Sequence, residues 1–298
     1  MTNVTDPSGA DRTVIVGVDG SAGSAIALQW AVDHADHLGE IVPVMAFVAG
    51  LYAVGFGSLE PADERGGPYR EDAILRLRAF LVAHAPPLVD VGRVFEGRSG
   101  AALLEAATGS QLLVVGSRGL SSRVDLSIGS VGAYCARHST VPVALIPPEV
   151  PPVHDGLDVV VGFDGSPHAV SALQWALEHL RRSARVTVVR VYSSEAVAGD
   201  PLSPSPEESE AVVRRELEAE VAAVLTDFPT HPEVELLVVP GDPRAALRAA
   251  AGAADLLVIG SRGLGALDQL LIGSVAIALA HHPTVPTIVV PDPGHDPF

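Results

Sequence analysis

The chain has no lysine. All 19 of its basic residues are arginine, set against 36 aspartates and glutamates for a formal net charge of −17. That absence excludes the P-loop G-x-x-x-x-G-K-[ST], whose lysine reaches the phosphates, and Schiff-base chemistry on lysine. The deficit of positive charge argues against nucleic acid, because holding a phosphate backbone takes a basic face. Cysteine is almost missing as well. Cys135 stands alone, so no intrachain disulfide or cysteine-based zinc site can form, and on a helix it reads as a small buried residue. The first residues, Met1 to Pro7, lack the basic region and apolar stretch of a signal peptide. A long uninterrupted hydrophobic run is missing too. Ile41 to Leu59 is uncharged and approaches membrane-spanning length, but Pro43, Gly50, Gly55 and Gly57 break it. The matching stretch of the second half, Val186 to Asp200, carries Arg190, Glu195 and Asp200. The expectation is a soluble protein of a reducing, cytoplasmic compartment, with no membrane insertion.

What the chain does have is 48% hydrophobic residues with only 18% charged, enough for buried cores and too apolar for wholesale disorder. It also repeats itself. Gly116-Ser-Arg-Gly119, nine residues, then Gly129-Ser130 returns as Gly260-Ser-Arg-Gly263, nine residues, then Gly273-Ser274. Val16-Gly-Val-Asp-Gly-Ser21 pairs with Val161-Gly-Phe-Asp-Gly-Ser166. Ala27-Leu-Gln-Trp-Ala31 pairs with Ala172-Leu-Gln-Trp-Ala176, and Thr140-Val-Pro142 with Thr284-Val-Pro286, always about 145 residues apart. Pro147 to Pro152 reads as a semi-rigid linker. Two domains follow, residues 1–149 and 150–298.

Within each half, short apolar runs alternate with helical patterns. Strands are predicted at 13–18, 41–48, 89–95, 111–116 and 141–146, with helices at 22–38, 69–84, 100–108 and 129–138. The second half repeats them, with strands at 157–163, 185–192, 233–239, 255–260 and 285–290. Its helix over 206–227 opens with acidic residues suited to a helix N-terminus. Asp242 and Pro243 read as N-cap and first residue of the next helix. Such alternation means an α/β fold: two tandem, doubly wound, five-stranded parallel-sheet domains of Rossmann-like type. Ligands bind such sheets beyond the carboxyl ends of the strands, at the switch point. The loops 49–68 and 193–205 differ most between the halves.

The chemistry sits at that edge. Asp19 and Asp164 end the first strand of each half, after Gly17 and Gly162. There a carboxylate can accept from a ribose hydroxyl or an exocyclic amine, or simply cap the next helix. The glycine turn, Gly116-Ser117-Arg118-Gly119 and Gly260-Ser261-Arg262-Gly263, lets backbone approach an oxygen closely. Gly129-Ser130 and Gly273-Ser274 stand where a helix begins, so their N–H groups and hydroxyls would meet a phosphate. Arg118 and Arg262 either share in that charge or are solvated. His138 and His282 align at a helix end, where a cation suits the dipole.

The Gly-x2-Gly-x9-Gly-Ser spacing and the Val-Gly-x-Asp-Gly-Ser start resemble the ATP-binding branch of the universal stress proteins, in tandem form, over essentially the whole chain. In that family the first-strand Asp and a side chain near the end of the second strand hold adenosine, and the glycine turn and Gly-Ser hold ribose and phosphates. The resemblance implies Asp19, Phe47, Gly116, Gly119, Gly129, Ser130 and Val131 for one site. For the other it implies Asp164, Val191, Gly260, Gly263, Gly273, Ser274 and Val275. After Gly263 the second copy has Leu264-Gly265 where the first has Leu120-Ser121. A Ser is costly where positive φ is needed, so the first site is expected to differ. The resemblance further implies pairing through the last strand of each sheet, within the chain or as a homodimer.

The expected function is an ATP-binding stress-response regulator with one site per domain, ATP bound with Mg²⁺, and no enzymatic role. A slow ATP-hydrolysing enzyme is the alternative from another class. Against it, no Ser–His–Asp set recurs in both halves and the Ser-Gly-Gly-x-Asp-Ser signature of the ATP pyrophosphatases is absent. A nucleotide-independent scaffold is the third reading, opposed by two intact glycine turns.

Overall fold

Val14, Ile15 and Val16 start the first unit as a strand because β-branched residues favour extended backbone and a parallel strand is covered on both faces. None of the three is more than 2% exposed. The computed structural model describes residues 13–48, 67–88, 90–118, 129–150, 156–180, 182–193, 205–264 and 272–291. The chain divides into two compact units, Met1–Cys135 with Val141–Pro148, and Ala136–Thr140 with Glu149–Phe298.

In chain order the first copy of the repeat runs β1 (Thr13–Gly17), α1 (Ala22–Asp33), α2 (Ala35–Leu38), β2 (Glu40–Phe47), α3 (Gly67–His84), β3 (Arg93–Glu96), α4 (Ser99–Ala107), β4 (Leu112–Gly116), α5 (Ser130–His138) and β5 (Val143–Ile146). The second runs β6 (Asp158–Gly162), α6 (Pro167–His179), β7 (Arg185–Tyr192), α7 (Pro206–Leu225), β8 (Glu233–Pro240), α8 (Pro243–Ala251), β9 (Leu256–Gly260), α9 (Ser274–His281) and β10 (Thr287–Val290). Strands pair in the order β3-β2-β1-β4-β5 and β8-β7-β6-β9-β10, every pair parallel. The expected α/β architecture is present in both halves. The winding direction reverses beside β1 and beside β6, which opens a crevice at the carboxyl ends of β1 and β4, and of β6 and β9.

Several boundaries depart from the sequence expectation. The helix predicted over 22–38 breaks at His34, whose N–H turns back to the Ala31 carbonyl at 3.2 Å while its Nδ1 lies 2.7 Å from the Trp30 carbonyl. The imidazole stacks on Trp30 at 4.5 Å, and His179 repeats this on Trp175 at 4.9 Å as α6 ends. The last strands start two residues late, because Pro142 and Pro286 have no N–H to donate. Their carbonyls still accept from Leu113 and Leu257 at 2.9 Å. Predicted strand 89–95 shortens to Arg93–Glu96, and predicted helix 206–227 ends at Leu225. His138 ends α5, as its alignment suggested, and burial with the neighbouring Arg137 lowers its pKa from the ordinary imidazole value. Most of the loops 49–68 and 193–205, linker residues 151–155, and Gly119, Leu120, Ser121 and Gly265 lie outside the described residues.

Small residues let the helices lie close to the sheets. Ala27, Leu28 and Ala31 of α1, and Ala172, Leu173 and Ala176 of α6, are fully buried at the repeated Ala-Leu-Gln-Trp-Ala segment. Burying one such leucine contributes about 1.5–3 kcal/mol. Cys135 is fully buried too, as its helical position suggested. Among the described residues no helix is long and apolar enough to cross a membrane.

Candidate functional site

Each Val-Gly-x-Asp-Gly-Ser segment builds one side of a crevice. The strand stops at Gly17 or Gly162, and the next turn needs the positive φ of Gly20 (+87°) and Gly165 (+83°). Ser21 and Ser166 then cap α1 and α6, their hydroxyls accepting from Ser24 N–H at 3.1 Å and Ala169 N–H at 3.2 Å. The helix cap is therefore the serine. The aspartate holds the turn instead, with Oδ1 accepting from Ser21 N–H at 2.9 Å in the first unit and from Ser166 N–H at 3.0 Å in the second.

The glycine turn after β9 meets that aspartate across 100 residues of chain. Leu264 N–H donates to Asp164 Oδ2 at 2.9 Å. The turn comes this close because Gly263 has no β-carbon, which would collide with the same oxygen. Gly260 is equally constrained, since a β-carbon there would lie 2.7 Å from the His168 carbonyl. Ser261 is pinned by its N–H to the Val290 carbonyl at 2.8 Å, and its own carbonyl accepts from Gly273 N–H at 2.7 Å. Ser117 does the same between Ile146 and Gly129, both at 2.7 Å. Both serines are buried and neither lines a crevice. They tie the two glycine motifs together.

In the second unit these elements enclose a cavity of about 320 Å³. Its walls include Phe163, Val189, Val191 and Leu247, which make an apolar slot. Gly162 and Asp164 close one side, Gly260, Arg262 and Gly263 another, and Gly273, Ser274 and Val275 a third. Arg262 Nε is buried without a hydrogen-bond partner among the described residues. The cap of α9, Gly273, is extended at φ −74° and ψ 156° and contributes no side-chain cap. The first N–H groups of α9 have no partner within the helix. Their field favours an anion by about 0.3–1 kcal/mol. An apolar slot ending in a carboxylate on one side and N–H donors with a guanidinium on the other suits a flat ring carrying an anionic tail.

The first unit places the same parts around a cavity of about 90 Å³. Gly17, Asp19, Gly116, Arg118, Gly129, Ser130 and Val131 all line it. Phe47 does not. Ala46 stands on the wall instead, together with Val44, because alternate residues of a strand share a face. The repeat itself signals this, since an offset of 145 carries Val191 onto Ala46 and Tyr192 onto Phe47. Also missed are Val18 and Phe163 at the strand end, Ser24 and Ala169 one helical turn on, and Leu103 and Leu247 on α4 and α8. A hydrophobic residue inside a strand or helix looks like ordinary core until the fold shows which face it occupies.

The profile of the universal stress protein family matches the chain twice, over residues 12–147 and 158–291. A universal stress protein of Mycolicibacterium smegmatis is 27% identical over 297 residues, spanning 95% of this chain and 98% of its own. Another, of Mycobacterium tuberculosis, is 30% identical over 289 residues, spanning 93% of this chain and 96% of its own. Among solved structures, a universal stress protein from Archaeoglobus fulgidus superposes with a TM-score of 0.63 at 20% identity, covering 95% of this chain and 99% of that one, a likeness of fold. With its domain present in two copies along nearly the full length, the chain belongs to the universal stress protein family.

Proposed function

We propose that the chain binds an adenine nucleotide, ATP, in the crevice between the first-strand aspartate and the glycine turn, and acts as a regulator without turning it over rapidly. The observation that carries this reading is the second unit's cavity. It joins an apolar slot to Asp164 on one side, and to Arg262 and the uncapped start of α9 on another. The base would lie between Val191 and Leu247. Asp164 has accepted one backbone N–H on each oxygen, and each retains a lone pair for a ribose hydroxyl. The phosphates would meet the amides of Gly263, Ser274 and Val275, with the Ser274 hydroxyl and Arg262.

Magnesium fits as a passenger on the triphosphate. Among the described residues no group of three or more His, Cys, Asp or Glu could hold a metal ion, so the phosphates themselves would bind it, and its charge would offset theirs. A cytoplasmic location and a homodimer complete the reading, the second testable by size-exclusion chromatography with light scattering.

Freshly purified protein, denatured and chromatographed, should release ATP. Gly273→Glu should empty the second unit's crevice while circular dichroism stays unchanged, because Gly273 lines the cavity at the start of α9 and its nearest neighbour would lie 3.3 Å from an added β-carbon. Undiminished nucleotide in this variant would show that the site is misassigned. Single-turnover hydrolysis tests the enzymatic alternative, with a rate that survives Gly273→Glu ruling out this site as its origin.

A further inference from the structure

We propose that in the native chain only the second unit takes up nucleotide, and that Gly23 is the residue that holds the first crevice shut. The inference rests on the nucleotide reading above and assigns its stoichiometry. The two crevices share their frame but differ in volume, about 90 Å³ against about 320 Å³. Small-molecule sites run from about 300 to 1,000 Å³, and a water claims about 30 Å³. The first crevice thus has room for a few waters and the second for a ligand.

Side-chain bulk does not explain the difference. The first crevice has the smaller walls, Val18 where the second has Phe163 and Ala46 where it has Val191. The backbone explains it. In the first unit the carbonyl of Arg118 lies where a β-carbon on Gly23 would stand, so the chain at Arg118 comes down on the N-terminus of α1. Position 23 corresponds in the repeat to His168, which has that β-carbon. The second turn cannot descend in the same way. Its Arg262 carbonyl stays at 3.5 Å from the Ser166 hydroxyl, and Leu264 N–H is drawn to Asp164. One side chain near the start of a helix props one crevice open, and its absence lets the other close.

Equilibrium dialysis with radiolabelled ATP tests this on the full chain. Wild type should bind one nucleotide and Gly273→Glu none. Gly23→His should bind two, and Gly23→His combined with Gly273→Glu should bind one. Gly23→Ala is the conservative version. Alanine favours the helix and also introduces the β-carbon, so it should gain second-site binding with circular dichroism unchanged. The reciprocal His168→Gly should lose nucleotide from the second unit. Two nucleotides on wild type, or one retained by Gly273→Glu alone, would overturn the proposal. So would folded Gly23→His and Gly23→Ala proteins that both stay at one. No nucleotide on any variant would bring down the nucleotide reading itself, and this inference with it.

Discussion

Asp164 shows how much one side chain can organise. Its two oxygens accept N–H groups from Ser166 and Leu264, at 3.0 and 2.9 Å, and so join the start of the domain to its glycine turn. Hydrogen bonds to a charged group contribute about 1.5–3 kcal/mol, and about 1.4 kcal/mol is tenfold in affinity. Asp164→Ala should therefore weaken ATP binding by about ten- to a hundredfold in calorimetric titration. Cys135 offers a separate test. Its Sγ lies 4.0 Å from the Gly100 carbonyl, and burial pushes the thiol up to about 12. An unfolded cysteine ionises near 8.5. The contribution of this thiol to stability is thus complete below about 8.5 and is lost as pH rises toward 12. The thiol should resist Ellman's reagent at pH 8 until denaturant is added. The urea midpoint should fall between pH 8 and pH 10 less steeply in Cys135→Ala than in wild type.

The helices are set by caps as much as by apolar faces. Ser205 and Glu208 form a reciprocal capping box at α7, at 3.1 and 2.8 Å. Replacing such a cap costs about 1 kcal/mol, so Ser205→Ala should lower the urea midpoint without changing ATP affinity. Asp242 caps α8, the helix that brings Leu247 to the cavity. The hydrogen bond from Arg244, then the Ala245 N–H, hold its carboxyl below the usual carboxylate range. Its support for α8 is present above the unfolded value near 3.9 and disappears as pH falls through the lower folded value. Asp242→Asn keeps a capping oxygen and should flatten that acid dependence in circular dichroism. Farther back, Arg190 pairs with Glu220 at 2.8 Å and lies over the Phe163 ring at 5.6 Å. That pair ties α7 to the strand end behind the crevice wall.

At the scale of the molecule, a net charge of −17 opposes an anionic ligand, so affinity has to come from local donors. Added salt screens repulsion over about 10 Å at 0.1 M. ATP should associate faster as ionic strength rises from 10 to 150 mM in stopped-flow measurements, the reverse of a binder that relies on a basic face. Faster association at low salt would mean that an attractive field outweighs the net charge.

Much of this was legible in the amino-acid order. The two copies, the strand-and-helix alternation and the glycine turns depend on local backbone preferences and on periods of two and 3.6 residues, which a sequence displays directly. Asp19, Gly116, Gly129, Ser130 and their counterparts stand out because glycine beside a short polar residue is costly anywhere but in a turn or cap. The register of the second strand also lay in the repeat, where Val191 answers to Ala46 and Tyr192 to Phe47. What only the tertiary structure decided is how turns about 100 residues apart meet: Leu264 on Asp164, Gly260 against His168, Arg118 over Gly23. Those contacts depend on where a β-carbon would stand in space, and no pattern along one strand or helix records that. For the same reason, two halves written almost alike enclose cavities of such different size.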